Sequence, residues 1–337
     1  MARAAPAWIL ILLLAACGES RRQEYELSGP VMGTSFSVKL VNPPAAVDRD
    51  ALATAIGDRL ETIEQRFSTY RPSSELSHVN TTLTTDWIPV SAELCRVVEA
   101  AITVSRQTNG AFDVTVGPLV NLWGFGPDGN RTAPPEELQV AEARSSVGYE
   151  KLETDCAEPA LRKALPGVYI DLSAIAKGHA VDMIAALLDN RGFGNYLVEI
   201  GGELRMRGHN AEGRDWAIAI EKPSDNERAV QTIMRLTGLA VATSGDYRNF
   251  FEYGGVRYSH TIDPRTGFPV THNGASVTVI AASATEADAL ATGLLVLGPE
   301  DGLALAKHEG IAARFLVRGK GEIHAAGSPA FDRLFAQ

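Results

Sequence analysis

Apolar positions recur at three- and four-residue spacing over Leu52, Ile56, Leu60, Ile63 and Phe67. That period gathers side chains on one face of a helix and predicts one from about Arg49 to Phe67. A second helix is expected over Ser91 to Asn109, with Ser91 as N-cap and Gly110 as its stop. A third starts near Pro134 and Pro135, and a fourth runs from about Ser173 to Asn190 before Gly192. Beyond it the period drops to two, predicting strands in YLVEIG, ELRMRG, WAIAIE, TIMRLTG and the run from Leu239 to Tyr258. ASVTVIA reads as another strand and leads into a helix from about Thr285 to Leu297, followed by a short helix and the strands ARFLVRG and EIHAAG. Near the start, residues 26–41 read as two short strands around Gly33. Helices and strands come in runs rather than strict alternation, which predicts an α+β fold with largely antiparallel sheet.

The 337 residues are 45% hydrophobic and 21% charged, enough apolar mass for a sizeable core. Length suggests about two domains as a soft prior, or one interleaved unit. A net charge of -10 supplies no basic face and excludes nucleic acid as a partner. Residues 1–16 have one basic residue, Arg3, then an apolar run from Trp8 to Leu14 too short to cross a bilayer. This predicts a cleaved leader. Leu14-Ala15-Ala16-Cys17 resembles a bacterial lipobox, so Cys17 is the expected lipidation site, residues 17–25 a tether, and residues 26–337 the functional domain. The remaining Cys95 and Cys156 allow either a disulfide or two buried small hydrophobes. No CxxC or HExxH motif provides a zinc site.

Four segments carry more glycine and polar residues than packing needs. In DLSAIAKGHAVD, Asp171 sits at a strand-to-helix junction, as a helix cap or a ligand contact in equal measure. Gly201-Gly202 interrupts a strand pattern, which reads first as a bulge and second as a close approach by a ligand. The stretch 242–267 embeds Asp246, Tyr247, Arg248 and His260 among turns, making His260 a structural residue or an acid, base or phosphate contact. In TEADALATGLLVLG, Asp288 and Thr292 lie one helical turn apart. Their oxygens suit Mg²⁺, although Asp288 alone also reads as a surface acid. Met32, Tyr70 and Trp123 are candidate walls for a planar heterocycle or ordinary core residues.

MGTSFSV, FSTYRPSSELSHVN, GAFDVTVGPLVNLWGFGP, DLSAIAKGHAVD, GGELRMRG, ATSGDYRNF, HTIDPRTGFPV and ADALATGLLVLG, in this order, resemble the FAD:protein FMN transferase (ApbE-like) family over about residues 30–300. The resemblance implies a T-fold-related α+β unit with mixed sheets and an FAD cleft between two sub-regions. It implies cleavage of FAD to AMP with Mg²⁺ and attachment of FMN, through a phosphoester, to a threonine of a partner such as a subunit of a sodium-pumping quinone reductase or a related electron-transfer complex. Carried over motif by motif, Met32, Tyr70, Ala111, Phe112, Asp113, Asp171, Lys177 and Ile262 contact FAD. The main-chain carbonyls of Ala174 and Ala291, with Asp288 and Thr292, hold the metal. His260 is the candidate base or phosphate contact, with Asp246 and Arg248 as helpers. The family's acceptors imply anchoring on the inner membrane, facing the periplasm; Gly18 after Cys17 leaves no aspartate retention signal. A Mg²⁺-dependent FAD pyrophosphatase and a non-catalytic flavin-binding lipoprotein are the alternatives.

Overall fold

The computed structural model describes residues 23–335, except 45–46, 128, 130, 223–228, 247–248 and 321. The expected leader, the Cys17 lipidation site and most of the tether therefore lie outside the described residues, as do Tyr247 and Arg248. Strand β1 (Glu24–Val31) takes in the last two residues of the expected tether. It turns into β2 (Thr34–Val41) through Met32 and Gly33, both at positive φ, the conformation of a twisted two-residue hairpin turn.

Helix α1 (Arg49–Phe67) buries the five apolar residues that predicted it and is capped by Asp48, whose carboxylate accepts from the amides of Asp50 and Ala51. There follow α2 (Glu75–Thr81), β3 (Ile88–Pro89) and α3 (Ala92–Gln107), the last capped by Ser91 as expected and ending two residues before Asn109. Helices α4 (Gly117–Leu122) and α5 (Glu137–Arg144) build a small sub-region, and β4 (Leu152–Asp155) and β5 (Ala160–Lys163) join β3 in a three-stranded sheet. Cys95 of α3 and Cys156 beside β4 form a disulfide, with Cα atoms 5.7 Å apart.

Helix α6 (Ala176–Asn190) starts three residues later than Ser173, because residues 171–175 form a turn in which Asp171 accepts from the Ser173 amide and hydroxyl. Strands β6 (Tyr196–Ile200) and β7 (Glu203–Arg207) form a hairpin with Ile200 opposite Glu203. Gly201-Gly202, at φ 63° and 106°, is thus a hairpin turn and not a bulge. Then come β8 (Trp216–Lys222), β9 (Ala229–Leu236), β10 (Ala240–Gly245), β11 (Phe250–Tyr253), β12 (Val256–Ser259) and β13 (Gly274–Ala281). Helix α7 (Ala284–Glu309) absorbs both the expected helix and the short one after it, across a kink at Gly298 and Pro299. The chain ends with β14 (Ala312–Arg318), β15 (Ile323–Gly327) and α8 (Pro329–Arg333).

The main sheet has the order β1-β2-β6-β7-β10-β13-β14-β15, antiparallel at every pairing. Strand alternation divides its side chains between two layers. Ala240, Ala242, Val277 and Val279 face the main core with α1, α3, α6 and α7, whereas Val241, Ile280 and Leu316 face a second core under the β8-β9 hairpin and α8. A third core, with Leu119, Trp123, Val140 and Ile262, unites α4, α5 and the β11-β12 hairpin. The expected α+β architecture with two sub-regions is what forms. Helix α7 is long and apolar enough to cross a bilayer by length and composition alone, but its Leu290, Leu294 and Leu295 are buried in the main core.

Candidate functional site

Between the main core and the third core lies a cleft of about 420 Å³, within the range of small-molecule sites. Its lining includes Tyr70, Ala111, Phe112, Asp113, Asp171, Ala174, Lys177, His260, Ile262, Asp288 and Thr292, which come from segments far apart in sequence. Met32 and Ala291 do not line it. Met32 sits on the β1-β2 turn with its amide donating to Glu64 Oε1 at 2.7 Å, and Ala291 is buried within α7. Trp123 is not a cleft wall either: it is buried, stacks on Tyr258 and donates from Nε1 to the Gly267 carbonyl at 2.8 Å. Tyr70, 64% exposed, and Phe125 are the aromatic faces open to a ligand.

The turn after α3 carries Ala111, Phe112 and Asp113. Gly110, at φ 75°, ends the helix, and Thr108 Oγ1 accepts from the Phe112 amide. Asp113 is buried, and its carboxylate accepts from the amide and hydroxyl of Thr115 and from the Tyr149 amide. A ligand at this turn therefore meets its main chain more than a free carboxylate.

The floor of the cleft is made where α6 crosses α7. Gly178 permits the crossing, since a Cβ there would stand 2.2 Å from the Ala284 carbonyl oxygen and 2.8 Å from Asp288 Cβ. Its amide donates to Asp288 Oδ2 at 3.0 Å. The carboxylate of Asp288 is thus fixed, with Lys177 Nζ 3.9 Å from its Oδ1. One turn along α7, Thr292 Oγ1 lies 3.0 Å from Ser244 Oγ. Lys177 is held more closely by Glu203, with Nζ 2.6 Å from Oε1.

Glu203 is 3% exposed, and its Oε2 is buried with no hydrogen-bond partner in the structure. Burial, aided by Asp288, pushes its carboxyl up to about 8 against the opposing pull of Lys177. Burial works against the Lys177 ammonium, but Asp288 and Glu203 outweigh it and hold that group above its ordinary value. The sequence reading missed Glu203. Leu204 and Met206 face the second core, so the alternation in ELRMR assigns Glu203 and Arg205 to solvent; in the fold, α6 covers that face and pairs them with Lys177 and Asp182.

The donors here are a fixed carboxylate, a hydroxyl and the nearby main chain at Ala174, with a second, unsatisfied carboxylate oxygen beside them. Oxygen-only donors fit Mg²⁺, and no group of three or more His, Cys, Asp or Glu among the described residues makes an all-protein metal cage. Mg²⁺ needs no such cage when water and substrate phosphates complete its shell.

His260 faces the cleft from the end of β12. Its Nδ1 is 3.0 Å from the Asn249 carbonyl oxygen, which can only accept, so Nδ1 carries the proton and Nε2 the lone pair. Burial pushes the imidazole below its ordinary value, against the Asn249 carbonyl and the Asp246 carboxylate. Asp246 itself is bound by Arg318, with Nη2 2.6 Å from Oδ1, and does not line the cleft.

A sequence profile of the ApbE family matches residues 32–315. A relative named FAD:protein FMN transferase from Vibrio cholerae is 46% identical over 308 residues, covering 91% of each chain. Another of that name from Haemophilus influenzae is 42% identical, covering 96% of this chain and 95% of its own. The solved structure of the flavin transferase ApbE from Vibrio cholerae superposes with a TM-score of 0.86 at 43% identity, covering 93% of this chain and 99% of that one. That of the apo Pseudomonas stutzeri flavinyl transferase gives 0.86 at 39%, covering 94% and 98%. The matched range 32–315 takes in every segment that meets in the cleft, and the chain belongs to the ApbE family.

Proposed function

We propose that the protein is a Mg²⁺-dependent FAD:protein FMN transferase. The observation that carries the reading is one cleft in which Asp288, Thr292 and Lys177 stand on one wall and a lone-pair Nε2 of His260 on another, in a chain 46% identical to a protein of that name. Mg²⁺, when bound, neutralises charge on the diphosphate. Asp288, Thr292 and the main-chain carbonyl of Ala174, which line the cleft together, are its proposed ligands. Tyr70 and Ile262 flank the flavin, the turn at Ala111, Phe112 and Asp113 together with Asp171 completes its seat, and the Lys177 ammonium meets the diphosphate. His260 Nε2 takes the proton of an acceptor threonine hydroxyl as its oxygen attacks the FMN phosphorus; the bond from that phosphorus to the bridging oxygen breaks, and AMP leaves.

The acceptor is an electron-transfer protein of the sodium-pumping quinone reductase kind, and the enzyme is anchored through Cys17 to the inner membrane, facing the periplasm. The leader sequence supports that placement, as does the Cys95-Cys156 disulfide, a bond typical of oxidising compartments. The protein, incubated with FAD, Mg²⁺ and a candidate acceptor domain, is expected to add one FMN to the acceptor's intact mass and to stop doing so in EDTA. Release of AMP with free FMN, at an unchanged acceptor mass across a panel of such acceptors, would favour the pyrophosphatase instead. Binding of FAD with no AMP at all would leave only a flavin-binding protein.

A further inference from the structure

We infer that Glu203 is a positioning residue that keeps the Lys177 ammonium off Asp288, leaving the Asp288 carboxylate open to the metal; the inference rests on the Mg²⁺ reading above. Two carboxyl groups and one ammonium converge in this corner. A lysine stem is long and mobile, and part of the Lys177 side chain is in contact with solvent. Without the Glu203 contact, its ammonium would close on Asp288 and compete with a cation for that carboxylate. The structure places it elsewhere, 2.6 Å from Glu203 Oε1 and 3.9 Å from Asp288 Oδ1.

The β6-β7 turn supplies the rest of the seat. Gly201, at φ 63°, lets the stem pass: a Cβ there would lie 3.1 Å from Lys177 Cδ and 3.0 Å from Thr34 Cγ2. The Gly-Gly turn thus admits the lysine stem, and the acid that follows it holds the charged end. Oε2 of Glu203 is buried without a hydrogen-bond partner, so the side-chain contact that the group makes here is the one from Oε1 to Lys177.

The test is a double-mutant cycle read by Mg²⁺ binding calorimetry on the full-length protein in the presence of FAD, with the FAD dissociation constant measured separately by flavin fluorescence in EDTA. Glu203→Gln is expected to weaken Mg²⁺ binding about ten-fold when Lys177 is present and to have no effect in a Lys177→Met background, while FAD affinity in EDTA changes less than three-fold. Gly201→Ala, which keeps every charge but displaces the stem, is expected to weaken Mg²⁺ binding in the same direction. An equal loss from Glu203→Gln in both backgrounds would overturn the inference, because Glu203 would then act on the cation by its own charge. So would unchanged Mg²⁺ affinity in Glu203→Gln. Wild-type protein that binds FAD but no Mg²⁺ would overturn the metal reading and the inference with it.

Discussion

At Asp288 one carboxylate has two tasks, since Oδ2 takes the Gly178 amide across the α6-α7 crossing while the group as a whole faces the cleft. Asp288→Asn keeps an acceptor for that amide and loses the charge. AMP release at saturating FAD is expected to fall at least 100-fold with the thermal midpoint within a few degrees of wild type; a variant that retains its rate would remove Asp288 from the metal site. For His260 the prediction is a pH profile. A base works when unprotonated, and burial holds this imidazole below its ordinary value of about 6.5. The transfer rate should therefore show an acid limb below about pH 6.5 and lose that limb in His260→Ala. The same substitution should slow transfer about 100-fold while changing FAD affinity much less; equal losses in both would make His260 a binding residue. Much of this was legible in sequence, because Asp288 and Thr292 lie four apart on a helix whatever surrounds them. Glu203 was not, because its partner Lys177 comes from another element and only the covering helix makes a charged strand face an interior one.

Among the elements, the α6-α7 crossing positions the site most directly. Gly178→Ala would put a methyl group against the Ala284 carbonyl and Asp288 Cβ. It is expected to destabilise the protein by about 1–3 kcal/mol and to lower AMP release together with stability, measurable by denaturant titration beside the activity assay. A second element-level test concerns Lys163, fully buried on β5, whose Nζ donates to the Val79 carbonyl at 3.1 Å and the Thr82 carbonyl at 2.7 Å at the end of α2. Lys163→Met removes both of these bonds, the Thr82 carbonyl keeping only the Thr84 amide, and should cost about 1–3 kcal/mol without altering FAD affinity. Helix α1 was readable because its apolar residues fall on one face and Asp48 supplies the cap. Helices α2 and α4, seven and six residues long, are too short to show a period, and the two residues of β3 gain their identity only by pairing with β5. The extent of α7 escaped for another reason: Gly298 and Pro299 are stop signals in sequence, yet the chain bends there and resumes its helix.

Over the whole molecule, the main core and the third core meet around the cleft, the second core lies on the other face of the main sheet, and the disulfide ties α3 to the small β3-β5-β4 sheet. Sequence left Cys95 and Cys156 open, since pairing depends on a fold that brings residues 61 apart in the chain within reach. Replacing both by serine is expected to cost about 2–4 kcal/mol of stability, seen as a lower thermal midpoint, with the FAD site intact because neither residue lines it. Under the proposed function, cleavage of FAD is coupled to a protein hydroxyl. The most direct measurement follows AMP, free FMN and acceptor-bound FMN over time, using an acceptor domain and its threonine-to-valine variant. AMP and acceptor-bound FMN are expected in equal amounts with the threonine acceptor, and neither with the valine variant or in EDTA. Equal rates of AMP and free FMN release with both acceptors would contradict that coupling.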